Sequence, residues 1–176
     1  MQHDKTANPN DFADISSVPH SGRLIAIDPG TRRIGLAVPD DTRVVVRRLP
    51  ILKRSSWKKL LSAIRLLVAE FDAVGLVVGL PLAFEKGESP MAAEARDLAR
   101  KFALSLEIPV YLQDERLTTF EARNRLWAAG FSSAELTEQL DSEAAALILS
   151  DFLDRIISVS DESQETPSSP FPPRPG

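Results

Sequence analysis

Asp28, the Asp114-Glu115-Arg116 run and Asp141 are carboxylates in positions that call for a chemical reason. Asp28 follows Ile25-Ala26-Ile27 and precedes Pro29-Gly30. It stands at the tip of an apolar strand, where open α/β sheets place their sites. An Asp before Pro-Gly also suits a turn-starting role. Asp114 and Glu115 follow a second short apolar run, and adjacent carboxylates repel unless a cation sits beside them; Arg116 or a metal could be that cation. Neighbouring side chains of an extended segment point to opposite sides, so at most one of the pair readily faces a site. Acids also favour the start of a following helix. Asp141 shares helical spacing with Ala145, Ile148, Phe152 and Ile156. A carboxylate on that apolar stripe is costly unless it is paired or binds a metal, and a place in the first turn of the helix eases the cost.

The rest of the composition narrows the chemistry. The chain has no cysteine, and its two histidines, His3 and His20, lie in a polar N-terminal stretch. Thiolate chemistry, disulfides and His-ligated zinc drop out. Two strand ends and one helix can bring three carboxylates together. Hard oxygen donors without His or Cys suit Mg²⁺ or Mn²⁺. A pair of such ions catalyses in-line phosphodiester cleavage, one activating water and the other steadying the leaving oxygen. Charge is distributed accordingly. The net charge is −4, yet residues 32–65 carry ten basic side chains against Asp40 and Asp41. That stretch reads either as a surface for a phosphate-rich partner or as a solvated hairpin and helix face.

These residues need a scaffold, and the 176-residue chain is long enough for one domain with its own core. Residues 1–22 lack apolar periodicity and read as a flexible tail; residues 159–176 hold five prolines and read as a disordered tail. The domain spans 23–158. Strands are expected at Arg23–Asp28, Arg33–Val38 and Arg43–Leu52, as consecutive hairpins. A helix capped by Ser55 or Ser56 runs to about Glu70. Val74–Val78 reads as a strand buried on both faces. Ser89-Pro90 opens a helix to about Leu106, Val110–Gln113 is a fifth strand, and Thr118 with Glu121 caps a helix to Ala129. A last helix covers roughly Leu140–Ser158. The order implies an α/β fold: a mixed five-stranded sheet, three antiparallel strands then α/β units, flanked by helices. No apolar run is long enough to cross a membrane. No secretory or transit signal is seen, so a cytoplasmic protein without membrane partners is expected.

The segment AIDPGTRRIGLAVPD (26–40) resembles the opening of the YqgF family of RNase H-like proteins, and VVGLPL with Gly87, DERLTTFEA (114–122) and DSEAAALILSDFLD (141–154) match that family's later motifs in order. The resemblance covers about 23–154. It implies an RNase H-like fold and an activity akin to Holliday-junction resolvases, with bacterial members described as nucleases that mature the 5′ end of pre-16S rRNA. It also implies that Asp28, Glu115 and Asp141 are the catalytic, metal-binding acids for Mg²⁺ or Mn²⁺. The family's glycine-turn motif falls on Gly30, Thr31, Arg32 and Gly35. Its DER arginine falls on Arg116 and the following threonines on Thr118 and Thr119, groups able to contact phosphates.

The partner implied is structured RNA (pre-16S rRNA) or branched DNA, and both monomer and homodimer stay open. Many family members carry Lys or Arg before the last Asp, whereas 132–138 is acidic here, which leaves a non-catalytic nucleic-acid-binding module as an alternative. An Asp-x-Gly-Thr loop after a first strand also occurs in actin-like ATP-binding proteins. The absence of a second half and of a Gly-rich adenosine segment weighs against that class.

Overall fold

The computed structural model describes residues 12–81, 89–114 and 133–164, with helix side chains in the last segment described over 143–160. The strands are β1 (Arg23–Pro29), β2 (Arg33–Pro39), β3 (Val46–Lys53), β4 (Ala73–Leu80) and β5 (Val110–Asp114); the helices are α1 (Trp57–Glu70), α2 (Pro90–Ser105) and α3 (Ser133–Gln164). The sheet order is β3-β2-β1-β4-β5. β2 runs antiparallel to β1 and β3, whereas β1, β4 and β5 are parallel. This is the mixed five-stranded sheet expected from the sequence.

Strand alternation sorts the apolar residues into two cores. Ile25, Ile27, Ile34, Leu36, Leu76 and Val78 face α1 and α2, meeting Leu60, Ile64, Leu98 and Phe102. Leu24, Ala26, Ala37, Val77 and Tyr111 face α3, meeting Ala145, Ile148, Leu149 and Phe152. Leu24 through Ile27 are all fully buried, which is why β1 is apolar without a break. Leu24, Ile25 and Ile27 each contribute about 1.5–3 kcal/mol on burial. Asp28 is the next residue of the Leu24-Ala26 row and so belongs to the α3 face.

The boundaries differ from expectation in three places. β3 begins at Val46 rather than Arg43, because Asp40 draws the preceding residues into a turn: its Oδ1 accepts from the Val44 and Val45 amides at 2.9 and 3.1 Å. Arg43 adopts φ 60° there, left-handed backbone for a non-glycine residue, and its Nε donates to Gly22 O at 2.7 Å. Residues 12–22 fall in the expected tail, yet Val18 is buried against the α3-side core and Ala13 N donates to Val110 O at 2.9 Å. That bond covers the outer edge of β5, and an open strand edge is otherwise a template for aggregation. Finally, α3 runs from Ser133 to Gln164, past both expected ends. The capped helix expected over Thr118–Ala129 lies outside the described residues.

Candidate functional site

Asp28 lies at the C-terminal end of β1, half-buried, directly opposite Gly35 of β2. On its other side the parallel register pairs Ile27 with Val78, so the next step brings Gly79 alongside. Gly79 in turn pairs with Gln113 of β5. Residues in one such row share a face of the sheet. The Asp28 carboxylate is thus flanked, on the α3 face of the sheet, by positions without side chains on both neighbouring strands. Gly35, expected as part of a turn motif, is a strand residue in β2.

The turn after Asp28 is tight. Gly30 N donates to Asp28 O at 3.0 Å, and a Cβ on Gly30 would stand 2.6 Å from Arg33 O, closer than real Cβ contacts. Only glycine fits there. Thr31 and Arg32, the next expected substrate contacts, are exposed. Arg33 of β2 pairs with Lys53 of β3. Arg32, Arg33 and Lys53 therefore gather positive charge beside the Asp28 end of the sheet.

The remaining basic residues of 32–65 do not form one surface. Arg48 reaches Glu143 of α3 at 3.5 Å and Arg54 reaches Glu94 of α2 at 2.7 Å. Arg47 lies over the Phe71 ring at 5.3 Å, and Arg65 donates to Ser105 O at 2.8 Å. Arg43 is partly buried beneath the far turn, and desolvation pulls its pKa below the ordinary value. The positive patch is thereby narrowed to the strand ends near Asp28 and to the exposed Lys58 and Lys59 of α1.

Asp114 closes β5, paired with Leu80. Glu115, Arg116, Thr118 and Thr119 lie outside the described residues. Asp141 falls within α3, one turn before Ala145, and its side chain lies outside the described residues. The stripe that pointed to it is real: Ala145, Ile148 and Phe152 are buried against the sheet and Ile156 packs beside them. Its expected place in the first helical turn is corrected, because α3 starts at Ser133 and Asp141 is about two turns inside it. The dipole advantage of an N-terminal acid fades beyond the first turn. The helix dipole therefore does not ease the cost of this carboxylate. Among the described residues no group of three or more His, Cys, Asp or Glu side chains is poised for a metal; two of the three expected ligands have no described side chain.

Two polar pairings near the site escaped the sequence reading. Gln113 is buried, and its Oε1 accepts from Arg155 Nη1 at 2.7 Å. Its place two residues after Tyr111, on the same strand face, was the available signal. Arg54 bonds to the turn itself, its Nη1 donating to Gly30 O at 2.9 Å. Nothing in its sequence neighbourhood marks it.

Residues 22–155 match a family model described as RuvX, Holliday junction resolvase. A protein of Anaeromyxobacter sp. (strain K) named "Putative pre-16S rRNA nuclease" is 42% identical over 133 residues, which is 76% of this chain and 97% of the relative. A protein of the same name from Cereibacter sphaeroides (strain ATCC 17025 / ATH 2.4.3) is 36% identical over 142 residues, 81% of this chain and 89% of the relative. Among solved structures, T. thermophilus RuvC in complex with Holliday junction substrate aligns with a TM-score of 0.47 at 18% identity, over 76% of this chain and 96% of that one. The fowlpox virus resolvase in complex with Holliday junction DNA gives 0.44 at 11% identity, over 78% and 98%.

Proposed function

The chain belongs to the RuvX family, the YqgF grouping that its motifs resemble, and from that premise we propose that it is a metal-dependent endonuclease that processes the 5′ end of pre-16S rRNA. The observation that carries the reading is Asp28, set at a strand end between two glycine positions and beside Arg32, Arg33 and Lys53. Family and relatives agree on nuclease chemistry, and the names of the relatives supply the RNA substrate.

Asp28, Glu115 and Asp141 would hold Mg²⁺ or Mn²⁺. The donor set fits in kind: all carboxylate, in a chain without cysteine and with its histidines confined to the N-terminal stretch. A bound divalent ion lowers the pKa of water and neutralises charge building on the phosphate. The protein's own part is placement. The turn at Gly30 lets the nucleic-acid backbone come close to Asp28. Arg32, Arg33 and Lys53 attract the phosphates around the scissile one, giving affinity with little base readout. Arg116, Thr118 and Thr119 supply further phosphate contacts in this reading.

A four-way DNA junction is the second substrate to consider, because the family model carries that description. RNA and junction DNA demand the same acids and the same basic margin, so the test is direct. Purified protein with Mn²⁺ or Mg²⁺ is given a labelled pre-16S 5′-end RNA and a labelled four-way junction. RNA-selective cutting is the expected result. Junction-selective cutting would move the assignment to resolvase, and metal binding without cutting of either would point to a missing partner. Absence of both metal binding and cutting would leave a binding module.

A further inference from the structure

We propose that Arg54 is a positioning residue for the turn that follows Asp28, and that it works by tying this turn to helix α2. The proposal rests on the nuclease reading of Asp28 and adds to it a residue that contacts no substrate.

Three bonds converge on Arg54. Its Nη1 donates to Gly30 O at 2.9 Å. Its backbone N donates to Arg32 O at 2.9 Å. Its Nη2 meets Glu94 Oε1 at 2.7 Å. The planar fork of a guanidinium can hold two acceptors at a fixed angle; a lysine ammonium at the same place cannot reproduce that geometry. Both acceptor carbonyls belong to the turn between β1 and β2. The described peptide bonds are all trans, and in a trans peptide the C=O and the following N–H point opposite ways. Drawing Gly30 O toward Arg54 therefore turns the Thr31 N–H away from it. One side chain thus sets the orientation of the peptide group at the turn's apex.

The other end of the fork rests on a rigid element. Glu94 lies in the second turn of α2, whose start is capped by Ser89 Oγ accepting from Ala92 N at 3.1 Å. Ala92 and Ala95 on either side of Glu94 are buried. The turn is thereby referenced to a packed helix rather than to a loop, which is what precise sites require. Stability alone does not account for the pair. Arg54 is 22% and Glu94 51% exposed, and ion pairs this open to solvent add little to folding. What the pair offers is geometry.

The test compares wild type with R54A, R54K and E94Q. Cleavage of the four-way junction and of the pre-16S 5′-end RNA is measured with Mn²⁺ well below the melting temperature. Melting curves and amide NMR spectra of residues 30–33 are recorded beside it. We expect R54A to lower kcat about 10- to 100-fold, the scale of an ångström-sized misplacement. KM should change little, because Arg54 touches no substrate. R54K should recover part of kcat, E94Q should lose less than R54A, and the Thr31 and Arg32 amide signals should move in R54A and E94Q with melting temperatures near wild type. A full wild-type kcat in R54A with unmoved amide signals would overturn the proposal. So would a loss of kcat matched by the unfolded fraction, or a rise in KM with kcat intact, which would make Arg54 a substrate contact. If wild type cuts neither substrate and binds no metal, the nuclease reading fails. The amide signals then decide the Arg54 tie: moved signals support it and unmoved ones overturn it.

Discussion

Gly35 stands directly opposite Asp28 in the β1–β2 pairing. Side chains on directly opposed residues sit about 4.5–5.5 Å apart at Cβ, so any residue but glycine would press on the space beside the carboxylate. Glycine in a strand interior is otherwise a cost in conformational entropy. Gly35 is buried, and the place beside the carboxylate is kept free of a side chain at that cost. Gly35→Ala is expected to stay folded and to lower cleavage kcat by about tenfold or more, on the scale at which small displacements cost rate. Parallel melting and steady-state cleavage check it; full activity in this variant would remove the role of the open row.

Asp28→Asn keeps the shape and removes the charge. Partners that merely orient metal ligands commonly cost 10- to 100-fold when lost, so loss of a ligand is expected to lower kcat by at least about 100-fold. Where the three acids converge as proposed, relief of their mutual repulsion should hold or raise the melting temperature in metal-free buffer. Isothermal titration with Mn²⁺ should show weakened binding. Unchanged Mn²⁺ affinity with lost activity would make Asp28 a proton-handling group instead of a ligand.

Arg32 and Lys53 flank the site as exposed cations, whereas Arg48 is spent on Glu143. Each phosphate contact removed reduces the slope of log K against log salt by about one. Arg32→Ala and Lys53→Ala are each expected to flatten that slope by about one, and Arg48→Ala to leave it close to wild type. Binding of a labelled, uncleaved substrate in Ca²⁺ across a salt series measures this.

Much of the scaffold was legible because its signals are local. The Leu24–Ile27 run, the helical spacing of Leu60 and Ile64 and the Ser89-Pro90 cap each report on their own segment. Val74–Val78 announced a strand buried on both faces, and β4 is that strand. For the candidate site, the signals were two single residues out of keeping with their surroundings: Asp28 ends an apolar strand, and Asp141 interrupts an apolar stripe. The Gly30–Arg54–Glu94 tie joins three distant segments through side-chain bonds, and no periodicity encodes such a bond. The edges of β3 and α3 were misread for a related reason. A turn held by the Asp40 side chain shortens a β-branched run, and the polar Ser133–Leu140 stretch is helical without an apolar stripe to mark it.

Phe152 fixes α3 to the sheet. It is 1% exposed, and its ring centroid lies 5.4 Å from that of Tyr111. Phe152→Ala leaves a cavity between helix and sheet and should destabilise the protein by about 3–5 kcal/mol, lowering the melting temperature by roughly 10 °C. Differential scanning calorimetry checks the magnitude. A shift of only a degree or two would mean that α3 is held elsewhere.

Asp40 gives the fold a defined acid dependence. Its Oδ2 accepts from Thr42 Oγ1 at 2.8 Å while Oδ1 takes the Val44 and Val45 amides. The Thr42 hydroxyl first, and the amides after it, hold its pKa below the ordinary 3.8. A carboxylate whose folded pKa is depressed stabilises the fold fully above its unfolded value and loses that contribution as the pH falls through the folded one. Asp40→Ala should therefore melt below wild type at neutral pH. The difference should shrink as the pH falls below about 4 and close under strong acid. Melting curves of both proteins from pH 7 to pH 2 test the sign. A gap that stays constant across this range would show that the turn is held by backbone geometry, with the Asp40 charge irrelevant to it.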